Sequence, residues 1–547
     1  MECSPARNGH DPAKAPIPGN SRGGNVSHAD RRTITVNGRS VPSLSTLRPG
    51  AVPAADTPTT AATTSLLRPG MTCWQAGLAE RASLLLDTAD YFAAARATML
   101  RARHSILLLG WDFDPRTRLC PDAGDSQAEP WPDAIGPLLN ALAERRPDLD
   151  IRVLVWDMPL PLLATREGLF PRRAPDWFRA AGGRVRCRLD ASLPFGACHH
   201  QKLLVIDDAV AFCSGGDFAA NRWDTPAHLD EDPRRVMPSG NGHPPRHEVT
   251  MMVDGAPAAA LGALARERWR HATGERVAPP PPAATDPWPQ DLCPDLTRVP
   301  MAVTRTEPAW LHNPPAREAE ALHLAAIAAA RRFIYLENQY FASPCLAEAL
   351  MARLAEPDGP EVALVVSGES PSYFDRMTMD APRDVLIARL IAADAGRGRF
   401  RAYAPRTPNG RIIIVHSKVA IIDDRLLRVG SANLNNRSGG YDTECDLVAE
   451  APDGPEGTRV EAAIRRFRHH LIGHYVGLDT EAARVAFAAG GGLIRGIEAL
   501  EAGVPDTRRR LRPIRPGRAG PFGALVARFH LGDPRGPDDA WRPWRRR

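Results

Sequence analysis

Two hydrophobic periods alternate along most of this chain. From Leu78 to Arg103 apolar residues recur at helical spacing, and the run leads into Ser105–Trp111, SILLLGW, which reads as a short buried strand. Another strand is predicted at Ile151–Trp156, then a helix near 174–181 and a short strand at Arg184–Arg188. The second half repeats this order. A helix over 316–331 precedes strands at Phe333–Glu337 and Val362–Val366, a helix near 382–395, and a strand at Arg399–Tyr403. A repeated order at a nearly constant offset indicates duplication of one α/β unit. The pattern predicts an α/β protein of two similar α/β/α sandwich domains with mixed central sheets. A pseudo-twofold axis relates them, and the active site lies at their interface.

Composition sets the boundaries. Residues 1–70 are rich in Gly, Pro, Ser, Thr and Ala and read as disordered. The first domain is then 71–277, a Pro-rich linker containing APPPPAATDPWPQ covers 278–300, and the second domain is 301–490. Residues 491–547 read as a basic tail dominated by arginine, with apolar residues such as Leu525, Phe529, Trp541 and Trp544 able to anchor it on anionic lipid. The net charge of +5 is small for 547 residues, so the chain does not read as a nucleic-acid coat. Nine scattered cysteines without a C-x-x-C pair favour reduced thiols. No signal-peptide pattern is present at the N-terminus, and no apolar run reaches the roughly 18 residues a membrane helix needs. A cytoplasmic or peripheral-membrane location is expected, with export by a signal-peptide-independent route left open.

Chemistry concentrates in one rarity. The chain holds three lysines, Lys14, Lys202 and Lys418, among 69 basic residues. Two of them share a setting: His200-Gln201-Lys202 with Asp207 downstream, and His416-Ser417-Lys418 with Asp423 downstream. Lysine is a compact point charge and arginine a planar fork, so keeping lysine at these two places marks a geometric need. Strand alternation puts His200 beside Lys202, and His416 beside Lys418. Each motif then runs through an Asp-Asp turn and a returning strand to a small-residue corner, Ser214-Gly215-Gly216-Asp217 or Gly430-Ser431-Ala432-Asn433. Gly215, Asp217, Ser431 and Asn433, with both lysines, are the candidate phosphate-binding residues, because small residues let backbone N–H groups approach an anion.

Two histidines suit cleavage of a phosphodiester. One attacks phosphorus and becomes phosphohistidine, while the other protonates the leaving alkoxide and then activates water or an alcohol. Each needs a partner on its other ring nitrogen, and Glu248 and Glu444, in matching places before apolar strands, are assigned that role. The scheme calls for no cofactor, and no metal is expected. His470 and His474 do have the helical spacing of a zinc pair, but RRFRHHLIGHYVGL reads as the closing helix of the second copy.

These residues resemble the phospholipase D superfamily, whose HxKxxxxD repeats define it, over about residues 80 to 480. Gly110-Trp111 resembles its "GW" segment, Glu337–Phe341 its "ENQ(F/Y)F" segment, Asp217 with Arg222-Trp223-Asp224-Thr225 its "GGxD…RWDT" element, and GSANLNNRS its second corner. The resemblance implies that His200 is the nucleophile and His416 the acid/base. It implies that Lys202, Lys418 and Asn433 hold phosphate, and that Asp207 and Asp423 are mainly structural. Ser214 departs from the pattern, which has glycine there. The expected activity is hydrolysis of the distal phosphodiester of glycerophospholipids, with or without transfer to an alcohol. Alternatives are a cardiolipin synthase-type phosphatidyl transferase, a nuclease, and a non-enzymatic lipid-binding protein. The expected partner is phospholipid at a membrane surface rather than nucleic acid, and one chain carrying both motifs is expected to work as a monomer.

Overall fold

The computed structural model describes residues 65–121, 131–311, 313–370, 372, 375–505, 507–517 and 520–539. Most of the segment read as disordered, and Trp541 and Trp544, lie outside these residues. In the first copy the strands are β1 (Gln75–Leu86), β2 (Ser105–Gly110), β3 (Asp150–Trp156), β4 (Arg186–Asp190), β5 (Leu203–Ile206), β6 (Val210–Ser214), β7 (Arg246–His247) and β8 (Val249–Asp254). The second copy supplies β9 (Leu296–Glu307), β10 (Ala316–Arg317), β11 (Phe333–Asn338), β12 (Glu361–Val366), β13 (Phe400–Arg406), β14 (Ile414–Val415), β15 (Val419–Ile422), β16 (Leu426–Gly430) and β17 (Glu444–Glu450), and β18 (Arg510–Pro513) follows.

Fifteen of these strands form one path: β18-β13-β12-β11-β15-β16-β17-β9-β1-β8-β6-β5-β2-β3-β4. Leaving β18 aside, the order reads as the same unit from either end. β2, β3 and β4 pair in parallel, as do β11, β12 and β13, and the remaining pairs along the path are antiparallel. The two copies are therefore not separate sandwiches. They fuse along β1 and β9, whose register runs from Gln75 opposite Val303 to Ala82 opposite Leu296.

Helices cover both faces. On one face the helices Gly255–Thr273 and Pro455–His474 pack on a core drawn from both copies, including Leu84, Met251, Val303, Leu447 and Phe467. On the other face each copy keeps its own core, around Phe92, Leu139 and Phe212 in the first and around Leu322, Leu350 and Ile387 in the second.

The seam is where the sequence reading fails. The helix predicted from Leu78 begins at Asp87, because the preceding residues are β1. The linker assigned to 278–300 contains the start of β9, including Pro300. Pro300 is tolerated because it lies one residue beyond the end of the β9–β17 register, with Met301 the last residue paired there. The linker itself is tied down: Trp288 is buried, and its indole donates to the Leu292 carbonyl.

The stretch read as a basic tail is partly built into the fold. β18 pairs with β13 at the sheet edge. Asp533, almost fully buried, accepts from the backbone N–H groups of Asn436 (3.0 Å) and Arg437 (2.9 Å) in the second corner. Asp533→Ala strands two buried donors and should cost about 2 kcal/mol, read as a lower urea midpoint. An unchanged midpoint would show that this segment does not hold the corner.

Candidate active site

Each motif enters its strand immediately after the lysine, at Leu203 in β5 and Val419 in β15. The Asp-Asp turns at 207–208 and 423–424 place all four residues at positive φ, between 53° and 58°, a conformation that aspartate accepts better than most side chains. The first aspartate of each turn works on the backbone. Asp207 accepts from the N–H groups of Arg103, His104 and Ser105 at 2.6–2.7 Å. Asp423 does the same for Arg331, Arg332 and Phe333 at 2.7–2.8 Å. Each thereby fixes the start of the neighbouring strand, β2 or β11.

A second set of pairings joins the copies at the histidines. β7 runs parallel to β14, and the His416 N–H donates to the His247 carbonyl (2.9 Å). In the mirrored place His199 bridges Thr443, and the His200 N–H donates to the Thr443 carbonyl (3.1 Å). The backbone thus delivers each histidine to the glutamate of the opposite copy. His200 Nδ1 lies 2.9 Å from Glu444 Oε2, and His416 Nδ1 lies 2.7 Å from Glu248 Oε2. A carboxylate accepts, so each imidazole carries its proton on Nδ1 and leaves Nε2 for chemistry.

The carboxylates are held differently. Glu444 also accepts from Ser431 Oγ and Ser438 Oγ, each at 2.6 Å. At the position of Ser431 the first copy has Gly215, and Glu248 Oε1 is buried with no hydrogen-bond partner. A Cβ on Gly215 would collide with that oxygen and lie 2.8 Å from the His416 carbonyl and 3.0 Å from Lys418 Cδ. Glycine is required there by crowding.

Both lysines are buried. Lys202 Nζ donates to the His200 carbonyl (3.0 Å) and lies 3.7 Å from Asp217 Oδ2. Lys418 Nζ donates to the His416 carbonyl (2.6 Å) and to Gln339 Oε1 (3.2 Å). Burial, then Lys202 and Lys418, holds the His200 imidazole well below its usual range. Burial, then Lys418, Arg246 and Arg222, does the same to His416. Lys418 itself is pushed down to about 7 by burial, with Lys202 adding to the effect. Burial raises Glu248 to about 7 against the pull of Lys418 and Arg246. It raises Glu444 as well, opposed by the two serine hydroxyls and Lys202.

Two of the expected phosphate-binding residues serve other ends. Asp217 Oδ1 accepts from the N–H groups of Trp111 (2.8 Å) and Asp112 (3.1 Å), and its other oxygen faces Lys202. An acceptor-only carboxylate so engaged shapes the Gly110-Trp111 turn and orients the lysine; it repels phosphate. The Ser431 hydroxyl is committed to Glu444. Asn433 is buried, with its amide oxygen unpartnered. Ser214, the departure from the family pattern, supports its own corner. Its hydroxyl meets Thr250 Oγ1 (2.7 Å) and accepts from the Gly216 N–H (2.9 Å), the task Asp446 performs for the Ala432 N–H (3.0 Å) in the second copy.

Sequence reasoning overlooked Arg222, Arg246 and Gln339 as site residues. Arg222 and Gln339 stand inside quoted motifs, and Arg246 lies two residues before Glu248, so position was the available signal. Trp111 was noted, and its ring meets His200 edge-on with centroids 6.5 Å apart while stacking on Trp156.

Comparison with known proteins bears on this geometry. Residues 323–470 match the family model described as "Cardiolipin synthase, PLD-like domain". The chain is similar to phospholipase D alpha 2 of Oryza sativa subsp. japonica, 25% identical over 69% of this chain and 62% of that one. It is similar to phospholipase D alpha 4 of Arabidopsis thaliana, 26% identical over 63% and 58%. These similarities agree with the resemblance to the phospholipase D superfamily that the paired motifs carry. The chain spans about three-fifths of the length of those two relatives. Among solved structures, the phosphatidylserine synthase of Haemophilus influenzae aligns with TM-score 0.49 and 15% identity, over 77% of this chain and 94% of that one. No helix among the described residues is long and apolar enough to cross a membrane.

Two measurements test the site. Gly215→Ala should lower turnover at least about tenfold by displacing the Glu248–His416 pair, and full activity would contradict the packing. An anion seated by the lysines raises the depressed imidazoles and Lys418, so sulfate binding near pH 7 should take up protons. Calorimetry in buffers of differing ionisation enthalpy reads this directly; zero uptake would contradict the charge balance.

Proposed function

We propose that this superfamily phosphodiesterase is a phospholipase D that cleaves the distal phosphodiester of glycerophospholipids through a phosphohistidine. The observation that carries the reading is the crossed pair of dyads: two imidazoles, each oriented by the other copy's glutamate, beside two buried lysines. His200 Nε2 attacks phosphorus, and the headgroup oxygen leaves with a proton from His416. Water then attacks the phosphohistidine, His416 takes its proton, and phosphatidic acid departs with His200 restored. An alcohol in place of water gives the transphosphatidylation product.

The unequal glutamates support this division of roles. Glu444 shares its charge with two hydroxyls, so it stabilises an imidazolium less and leaves His200 a neutral nucleophile. Glu248 lacks such donors, so its ionisation is coupled to His416, and a proton gained by that ring draws out the carboxylate charge. A lipid substrate is supported by the wall beside His200. Trp156, Met158, Leu163, Leu193 and Tyr441 form an apolar cluster against Trp111, and Leu160 and Phe195 of the same segments are exposed by 67% and 74%.

Phosphatidic acid and free choline should form from phosphatidylcholine vesicles, and His200→Ala should lower the rate by about three orders of magnitude or more. His416→Ala should still release p-nitrophenolate from a phosphatidyl ester, because that group leaves without a proton, while losing choline release. Equal loss of both activities would refute His416 as the acid. If the folded protein releases no headgroup from any phospholipid, the lipid reading falls.

A further inference from the structure

Behind Glu248 lies a buried cluster that the reaction does not use. Asp87 follows β1, His228 sits in the loop after Asp224, His247 precedes Glu248, and His474 ends the helix Pro455–His474. Each offers a ligand atom, and these atoms all lie within 4.8 Å of one another.

Hydrogen bonds to the outer ring nitrogens fix the tautomers. His228 Nδ1 faces Asp224 Oδ2 at 3.0 Å, and His474 Nδ1 faces the Leu471 carbonyl at 2.7 Å. Carboxylate and carbonyl oxygens only accept, so both Nδ1 atoms carry hydrogen. In the neutral rings both Nε2 atoms then present lone pairs, and they stand 3.1 Å apart. Asp87 Oδ2 joins them, 3.3 Å from His228 Nε2 and 3.8 Å from His474 Nε2, buried and without a hydrogen-bond donor. Three electron-pair donors converge; His247 Nδ1 meets the other oxygen of Asp87 at 2.9 Å, and a metal ion among the three would relieve their mutual repulsion.

The spacing fits a metal. Tetrahedral zinc with bonds of about 2.0–2.1 Å separates its ligands by roughly 3.3 Å. Metal-ligating histidines also donate their other N–H to a carboxylate or carbonyl, as both rings do here. The duplicated fold supplies an internal control. The residue before Glu444 is Thr443, and the partner of Glu444 in β9 is Thr306. These are the second copy's counterparts of His247 and Asp87. The fold closes around hydroxyls there, so the histidine cluster is not demanded by the backbone.

We propose that Asp87, His228 and His474, with His247 as fourth residue, bind one divalent transition metal, zinc by geometry and ligand type. Three ligands come from the first copy and His474 from the second, so the metal cross-links the copies directly behind the Glu248–His416 pair. His247 extends the link: its Nε2 lies 3.2 Å from Glu337 Oε2, which accepts from Ser417 Oγ (2.8 Å) beside His416. The role is structural. His470, the i, i+4 neighbour of His474, is solvent-exposed, and His469 stacks on Phe487, so the site draws on residues far apart in sequence.

The test uses the untagged full chain, expressed with added zinc and gel-filtered. Elemental analysis should find about one zinc per chain. After stripping with a chelator, Co(II) should restore occupancy with the visible absorption of a tetrahedral site lacking thiolate. Zinc should raise the melting temperature of the stripped chain. His228→Gln and His474→Gln should each lose the metal and that response. Less than a tenth of an equivalent of any transition metal in the wild type, with no response to Zn(II) or Co(II), would overturn the proposal and leave a shared proton between the imidazoles. Full metal content in both variants would overturn it too. If the variants do not fold, wild-type metal content and the cobalt spectrum decide alone.

Discussion

Neither copy of the duplicated unit owns a complete dyad. His200 depends on Glu444 and His416 on Glu248, so each half supplies the carboxylate that fixes the other half's imidazole. A hydrogen bond of 2.7–2.9 Å tolerates little relative movement, and the rest of the architecture answers to that requirement. The continuous β1–β9 seam sets the relative position of the halves. The β7–β14 pairing and its mirror at His199–Thr443 make the fine adjustment. A pair of freely jointed domains would pay ordering entropy at every turnover; one sheet and one shared core have settled it at folding.

Duplication has been kept in backbone and relaxed in side chains. Ser214 and Asp446 perform one task from opposite sides of the same corner: where the first copy bonds an N–H with its own serine, the second has Gly430 and reaches across with Asp446. A Cβ on Gly430 would strike Asp446, so the two solutions exclude each other at any one corner. The same logic separates Ser431 from Gly215. That exchange gives Glu444 hydroxyl donors and denies them to Glu248, making two formally equivalent imidazoles chemically different. The departure at Ser214 is therefore a swapped support, and substrate preference must be set elsewhere.

The legible parts of the sequence were those whose signal is local. The two motifs, their turns, the corners and the parallel strands β2, β3, β11 and β12 announce themselves through short apolar runs and fixed spacing. The central strands did not. β1, QAGLAERASLLL, is rich in alanine and leucine and scans as helix, and β9 carries a proline in a region whose composition says linker. Both are strands because partners far away in sequence pair with them, which no local window contains. The supports were hidden for the same reason. Asp533 is 97 residues from Asn436, and the crossing of the dyads follows from sheet order rather than from any property of Glu248 or Glu444.

The buried charges explain why lysine persists at two positions in an arginine-rich chain. Lys202 has an anionic neighbour, Asp217, so its charge is answered within the protein. Lys418 is fully buried, and its hydrogen bonds go to a backbone carbonyl and a neutral amide. Its ammonium has three donors, two of them used. A rigid planar guanidinium would present a different donor geometry at this position. An anion arriving in this pocket meets a desolvated cation with a donor to spare and only Glu248 and Glu444 as opposing charge nearby. The electrostatic gain for a bound anion is therefore largest at Lys418, on the His416 side.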